Sequence, residues 1–197
     1  MKITFGFAAH SGWAALVILG GPLEEPEVID RRRVDLVQEE WAKAPYHAAE
    51  ELEAVEARKL VQLGVQAAHK NAKRQMKDLI KWTQKYDYEL AGCAVLMGNP
   101  MPSWSTDEIL AVHFRMHKAE GVLFRKALAS AAENCGLKLF RVPEKDLDNY
   151  SLKTLAIPFT RVQTILTQLG KAIGPPWTKD QKDATLAAMI ALHGKPL

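Results

Sequence analysis

The sequence predicts a mixed α/β domain. Three observations carry this. The first third opens with apolar runs separated by turn residues. A long stretch of helix formers follows Pro45. A nearly all-apolar run at Glu89–Met97 then precedes a capped helix. Together they give the order β-β-β-α-β-α-β, with further helices towards the C-terminus.

Lys2 to Ala9 reads as a strand, because Ile3, Phe5 and Phe7 alternate with Thr4 and Gly6. His10-Ser11-Gly12 is a turn, and Trp13 to Leu19 is a second, strongly apolar strand. After Gly20-Gly21-Pro22 a third strand runs from Glu27 to Val37. Neither of its faces is cleanly apolar, and Arg31-Arg32-Arg33 puts charge on both, so it belongs at a sheet edge. Short connections make these three an antiparallel meander.

From about Tyr46 to Tyr86 the chain is rich in Ala, Glu, Lys, Leu and Gln, which predicts one long helix or two, with Pro45 at its start and a bend at Gly64. Glu89–Met97 reads as a central strand covered on both faces. After Gly98-Asn99-Pro100-Met101-Pro102 comes a helix from Ser105 to Asn134, stopped by Gly136. Ser105-Thr106-Asp107-Glu108 has the spacing of a capping box. Leu137–Val142 is a short strand. The rest is helical, with breaks near Ser151, Pro158 and Gly170, and Thr178 caps a last helix from Lys179 to His193. The expected organisation is a core over residues 1–145 and a helical extension over 146–197 packed on it.

Composition bounds the function. The 197 residues are 48% hydrophobic, enough for one substantial core, and a net charge of +3 neither demands nucleic acid nor excludes it. No apolar run approaches the roughly 20 residues of a membrane span, and the apolar opening is broken by His10, Ser11 and Gly12, unlike a signal peptide. Cys93 and Cys135 read as buried thiols. A cytoplasmic location is the expectation.

The chemistry concentrates on the Ser105–Asn134 helix. On a helical wheel Ile109, Leu110, Met116, Leu123, Phe124, Ala127 and Leu128 share one side, while Asp107, Glu108, Arg115, Lys118, Arg125 and Lys126 share the other. His113 and Glu120 fall near the middle of the apolar side, with His117 one turn beyond His113. Polar groups in a buried stripe must be paired, and spacings of three and four residues let them converge on one ligand.

His113, His117 and Glu120 are therefore candidates for catalysis or for holding a divalent metal. The plain alternative is a hydrogen-bonded core cluster. Phe114 stands where the Glu of H-E-x-x-H would be, which excludes that protease motif. His10 and Ser11, in the first hairpin turn, are candidates for a base and a hydrogen-bond donor, with Asn99 and Trp104 beside them as ligand-binding residues. His47 joins them if its helix start faces the first hairpin; its ordinary place is a surface first turn. The basic stripe from Lys70 to Lys85 reads as a solvated face.

The order of elements resembles the ribonuclease H-like superfamily, and Ile3-Thr4-Phe5-Gly6-Phe7-Ala8-Ala9 followed by Gly12-Trp13-Ala14 looks like its first hairpin. The resemblance covers roughly residues 1–145. It implies a sheet with the first strand central, next to the fourth. It also implies, for the superfamily's nucleases, an Asp on the first strand that holds divalent metal. Here Ala8-Ala9 and then His10 stand in that region, and Glu89–Met97 has no carboxylate beyond its first residue.

The expected function is thus a binding or regulatory domain in which His10, His113, His117 and Glu120 line a pocket for a small anion or nucleotide phosphate. Two alternatives stand beside it. One is a hydrolase, metal-assisted or not, with His113 or His10 as base. The other is an interaction protein that oligomerises through its long helix.

Overall fold

Five strands form one mixed sheet in the order β3-β2-β1-β4-β5 in the structure, a computed structural model that describes residues 1–195. β1 (Lys2–His10), β2 (Trp13–Gly20) and β3 (Glu27–Asp35) are the antiparallel meander, and β4 (Glu89–Met97) lies parallel to β1. β5 (Leu139–Pro143) lies parallel to β4. The arginine-bearing strand is at the edge, and the apolar β4 has a neighbour on each side, as their sequences require.

Strand alternation sends two sets of side chains to two layers. Ile3, Phe5 and Phe7, with Leu16 and Ile18, face α3 (Ala54–Lys85) and α5 (His113–Asn134) in the larger core. The other face carries small residues at its centre: Gly6, Ala8, Ala15 and Ala94. Against them packs α8 (Lys179–His193), whose Ala184, Ala187 and Ala188 are fully buried. The fit is close enough that Thr4 Oγ1 donates to the Ala188 carbonyl at 3.0 Å. α6 (Leu147–Leu155) and α7 (Phe159–Ile173) complete this second layer.

Several helix boundaries differ from the sequence expectation. The Tyr46–Tyr86 region is two helices, α2 (Pro45–Ala48) and α3, after a single-turn α1 (Glu40–Lys43). Gly64 does not interrupt α3. It sits inside α3, where a Cβ would lie 2.5 Å from Pro45 Cβ, so glycine lets α2 dock on α3. The Ser105–Asn134 helix is also two: α4 (Thr106–Leu110), with the expected capping box of Ser105 and Glu108, and then α5. Val112, with extended backbone, separates them. Ser151 and Gly170 are interior to α6 and α7. A Cβ on Gly170 would fall 2.4 Å from Trp177 Cδ1, so this glycine seats the tryptophan. Thr178 and Gln181 form the capping box of α8. Cys93 is fully buried and its thiol is pushed well above the ordinary range by desolvation. No helix among the described residues is long and apolar enough to cross a membrane.

Candidate functional site

Topology decides what meets what. β1, β3, β4 and β5 all run one way, so the segments leaving their carboxyl ends share one edge of the sheet. α2 follows β3, and the first turn of α5 lies on the crossover that leaves β4, so both reach this edge. A small apolar cluster of Tyr46, Ala57, Val61, Ile109, Met116 and Ala119 packs α2, α3, α4 and α5 together beneath it.

The start of α2 explains Glu120. Its N-cap is Ala44, which has no side chain to cap with, and Pro45 at N1 has no N–H. The N–H groups of Tyr46 and His47 instead donate to Glu120 Oε1, both at 3.1 Å. The other oxygen, Oε2, accepts from His47 Nδ1 at 2.6 Å. Glu120 is 7% exposed and has all three donors to itself. Burial, and then the Glu120 charge, raise the pKa of the neighbouring Tyr46 hydroxyl.

The expected trio of His113, His117 and Glu120 therefore needs correction. Glu120 is consumed as cap and as anchor for His47, and the residue that joins the two α5 histidines is His47. One ring nitrogen from each of His47, His113 and His117 lies within 4.8 Å of the others. His117 Nε2 is 3.1 Å from His113 Nε2, and His113 Nδ1 is 3.2 Å from Glu50 Oε1. The His47 ring sits 4.4 Å from that of His117 and 5.0 Å from that of His113, centroid to centroid. His113 and His117 are exposed rather than mid-core. They share a helix stripe with Glu120, but in the first two turns of α5, where the short α2 covers that stripe instead of the sheet.

Carboxylates stand behind two of the rings. Since Glu120 is an acceptor, His47 carries its hydrogen on Nδ1, and Glu50 favours the same tautomer in His113. Both Nε2 atoms then present lone pairs. His47 Nε2 is buried and has no hydrogen-bond partner. Two carboxylates beside these rings disfavour an anion, and His10 lies elsewhere, so the cluster is not the four-residue phosphate pocket the sequence predicted.

His10 is not part of the cluster. Its Nε2 is 3.0 Å from Asp180 Oδ1 at the start of α8, and its ring stacks on Trp13 at 4.5 Å. Ser11 is an exposed hairpin residue. Trp104 packs on the α2–α5 cluster, with the Arg115 guanidinium 4.9 Å and the Lys118 ammonium 5.8 Å from its ring centre. Asn99 lines an adjoining groove of 380 Å³ at the carboxyl ends of β4 and β5, which shares His117 with the cluster and also carries Phe114, Lys118, Lys145 and the Arg125–Glu144 pair.

The arginine run of β3 is engaged in structure. Arg31 donates to the carbonyls of Ile173 and Gly174, Arg32 pairs with Asp30, and Arg33 pairs with Asp35 while lying over Trp13. A cavity of 660 Å³ between β3 and α3 sets Asp35 and Asp78 on the same walls as Arg33 and Arg74, so its charges offset one another.

Sequence reasoning placed His47 on the surface by default and missed Glu50. The signal for His47 was present: an Ala-Pro helix start without a capping side chain needs an acceptor from elsewhere, and Glu120 was the buried carboxylate without a partner.

No protein-family model matches the sequence, and no curated protein matches it. Among solved structures the chain is similar to Thermus thermophilus RuvC in complex with a Holliday junction substrate. The two are 13% identical with a TM-score of 0.50, and the match covers 100% of each chain. A second RuvC structure from the same organism matches at 12% identity and the same TM-score over 99% of each chain. The fold is ribonuclease H-like. The divalent metals that the superfamily's nucleases hold on strand carboxylates do not fit here. β1 ends in Ala8, Ala9 and His10, and β4 ends in Leu96 and Met97. Of the carboxylates outside the strands, Asp180 pairs with His10, Asp183 with Lys179 and Glu144 with Arg125.

Proposed function

We propose that this chain is a binding domain for a phosphate-bearing ligand, a nucleotide or a nucleic-acid strand, built on a ribonuclease H-like core without the strand carboxylates of a two-metal nuclease. The groove beside Asn99 carries the reading. It lies at the carboxyl ends of β4 and β5, where ligands of open α/β sheets bind. Lys118 and Lys145 line it, and neither has a carboxylate partner among the described residues. Phe114, 68% exposed, offers a face on which a base stacks. Similarity to a protein solved with a Holliday junction supports the ligand class. A reducing, cytoplasmic setting suits the two free cysteines.

Fluorescence anisotropy with labelled ATP, single-stranded DNA and a four-way junction tests this. The wild-type chain is expected to bind at least one of them at low salt. For a DNA ligand, Lys118→Ala/Lys145→Ala loses two phosphate contacts, which lowers the salt slope of log K by about 1.5. Absence of binding to all three, or binding unchanged by the double substitution, refutes the reading.

A second reading rests on the His10–Asp180 pair. A carboxylate bonded to Nε2 orients the imidazole and leaves Nδ1 to take a proton, which is the arrangement of a general base in a hydrolase. Turnover of a phosphoester substrate that survives His10→Ala would remove it.

A further inference from the structure

We infer that His47, His113 and His117 form a three-nitrogen site for a late first-row divalent cation, zinc foremost. This goes beyond the phosphate reading and does not depend on it.

The donor atoms come first. Zinc bound by histidines at about 2.0–2.1 Å in tetrahedral geometry holds its nitrogens roughly 3.3 Å apart. The His113 and His117 Nε2 atoms already stand 3.1 Å apart, and the ligating nitrogens of all three residues fall within 4.8 Å. Closing the set needs only small side-chain rotations. His113 and His117 are exposed, so those rotations meet little resistance.

The proton positions come second. Glu120 takes the Nδ1 hydrogen of His47 and Glu50 that of His113. This carboxylate–imidazole arrangement fixes the tautomer and raises the basicity of the distal nitrogen, and it is the usual surrounding of a metal-bound histidine. It is elaborate for a packing cluster. Glu120 is buried, held by two backbone N–H groups, and aimed at one ring nitrogen.

The third observation is independent of the other two. His47 Nε2 is buried with no hydrogen-bond partner, on the residue whose ring lies against both other imidazoles. A buried acceptor left unpaired is destabilising, and a folded chain rarely keeps one without a use. A cation shared with His113 and His117 satisfies it. The 3.1 Å contact between the two other Nε2 atoms holds a hydrogen between them, and the ion replaces it; His117 then carries its hydrogen on Nδ1.

The ligand set selects the ion. Three imidazoles without carboxylate oxygens suit zinc, cobalt, nickel or copper and not magnesium or calcium. The centre opens to solvent on the side of His113 and His117, which leaves a fourth position for water. Three protein ligands and an open position distinguish a reactive or exchangeable zinc site from a closed structural one.

The test uses the full chain freed of metal by chelator. Zinc is titrated in competition with a chromophoric chelator, and cobalt is titrated while its visible absorption is followed. We expect one ion per chain, the intense visible bands of tetrahedral cobalt, and no displacement by excess magnesium. His117→Ala removes an exposed ligand without disturbing packing and is expected to weaken zinc binding about 100-fold. Glu120→Gln keeps an oxygen for the Tyr46 and His47 N–H groups but turns a donor towards His47 Nδ1. That moves the ring hydrogen to Nε2, and zinc affinity is expected to fall about 10- to 100-fold. Circular dichroism and urea midpoints confirm that both variants fold.

Substoichiometric zinc in the wild type, or equal affinity in the wild type and His117→Ala, overturns the inference. Lys118→Ala/Lys145→Ala is expected to leave zinc binding unchanged, so failure of the phosphate reading and failure of the metal site are told apart.

Discussion

Truncating Glu120 measures how much of the edge architecture hangs on one buried carboxylate. In Glu120→Ala, metal-free, the N–H groups of Tyr46 and His47 and the Nδ1 hydrogen of His47 lose their acceptor. The Tyr46 bond is buried, and the two to His47 are partly so. A buried donor left unpaired costs about 1–3 kcal/mol, and water reaches the partly buried ones. A loss of about 3 kcal/mol follows, or roughly 6–12 °C in Tm for a chain of this size. Glu120→Gln keeps the two backbone bonds and should lose only about 1 kcal/mol. Equilibrium urea unfolding of the three proteins reads this directly, with m unchanged. An alanine variant within 0.5 kcal/mol of wild type would refute the claim that Glu120 caps α2. It would also remove the reason for fixing the His47 tautomer.

Two further outcomes are expected. In Gly6→Ala the new Cβ would stand 2.0 Å from the Ala184 carbonyl oxygen and 3.0 Å from Ala188 Cβ. α8 must then lift off β1, at a cost of about 3 kcal/mol in the same unfolding measurement; a change below 1 kcal/mol would mean the layer is not close-packed there. Stability should also depend on pH through His69 and His193. Burial lowers the pKa of both in the folded chain, and the nearby Lys2 contributes at His193. The unfolded chain then binds more protons below its histidine value near 6.5, so stability is full above that pH and declines as pH falls through it. His69→Gln/His193→Gln should flatten the decline, and an unchanged slope would assign it to other groups.

Much of the fold was legible because its signals are local. Alternation in Lys2–Ala9, the apolar run of β4 and the charges of β3 each reflect which faces a strand buries, and burial acts residue by residue. The S-x-x-E and T-x-x-Q boxes at Ser105 and Thr178 were readable for the same reason, since a capping side chain bonds within its own turn. Helix continuity was less legible. Propensity runs smoothly through Glu50–Glu53 and Ala111–Val112, and the breaks there come from docking: α2 must fold back on Gly64 of α3, and α4 must turn to share the Tyr46–Met116 cluster.

By itself the sequence determined that the chain folds as an α/β sheet opening with an antiparallel meander, that the strand carboxylates of a two-metal nuclease are missing, and that His113, His117 and Glu120 belong to one helix face. Only the tertiary structure decided who meets whom. His47 and Glu120 are 73 positions apart in the chain, and they touch because β3 and β4 end at the same edge of the sheet. His10 points the other way, to Asp180, because α8 covers the opposite face. Side-chain spacing within a helix is fixed by its pitch and can be read from the sequence. Contacts between elements are fixed by strand order and packing, which depend on the whole chain at once.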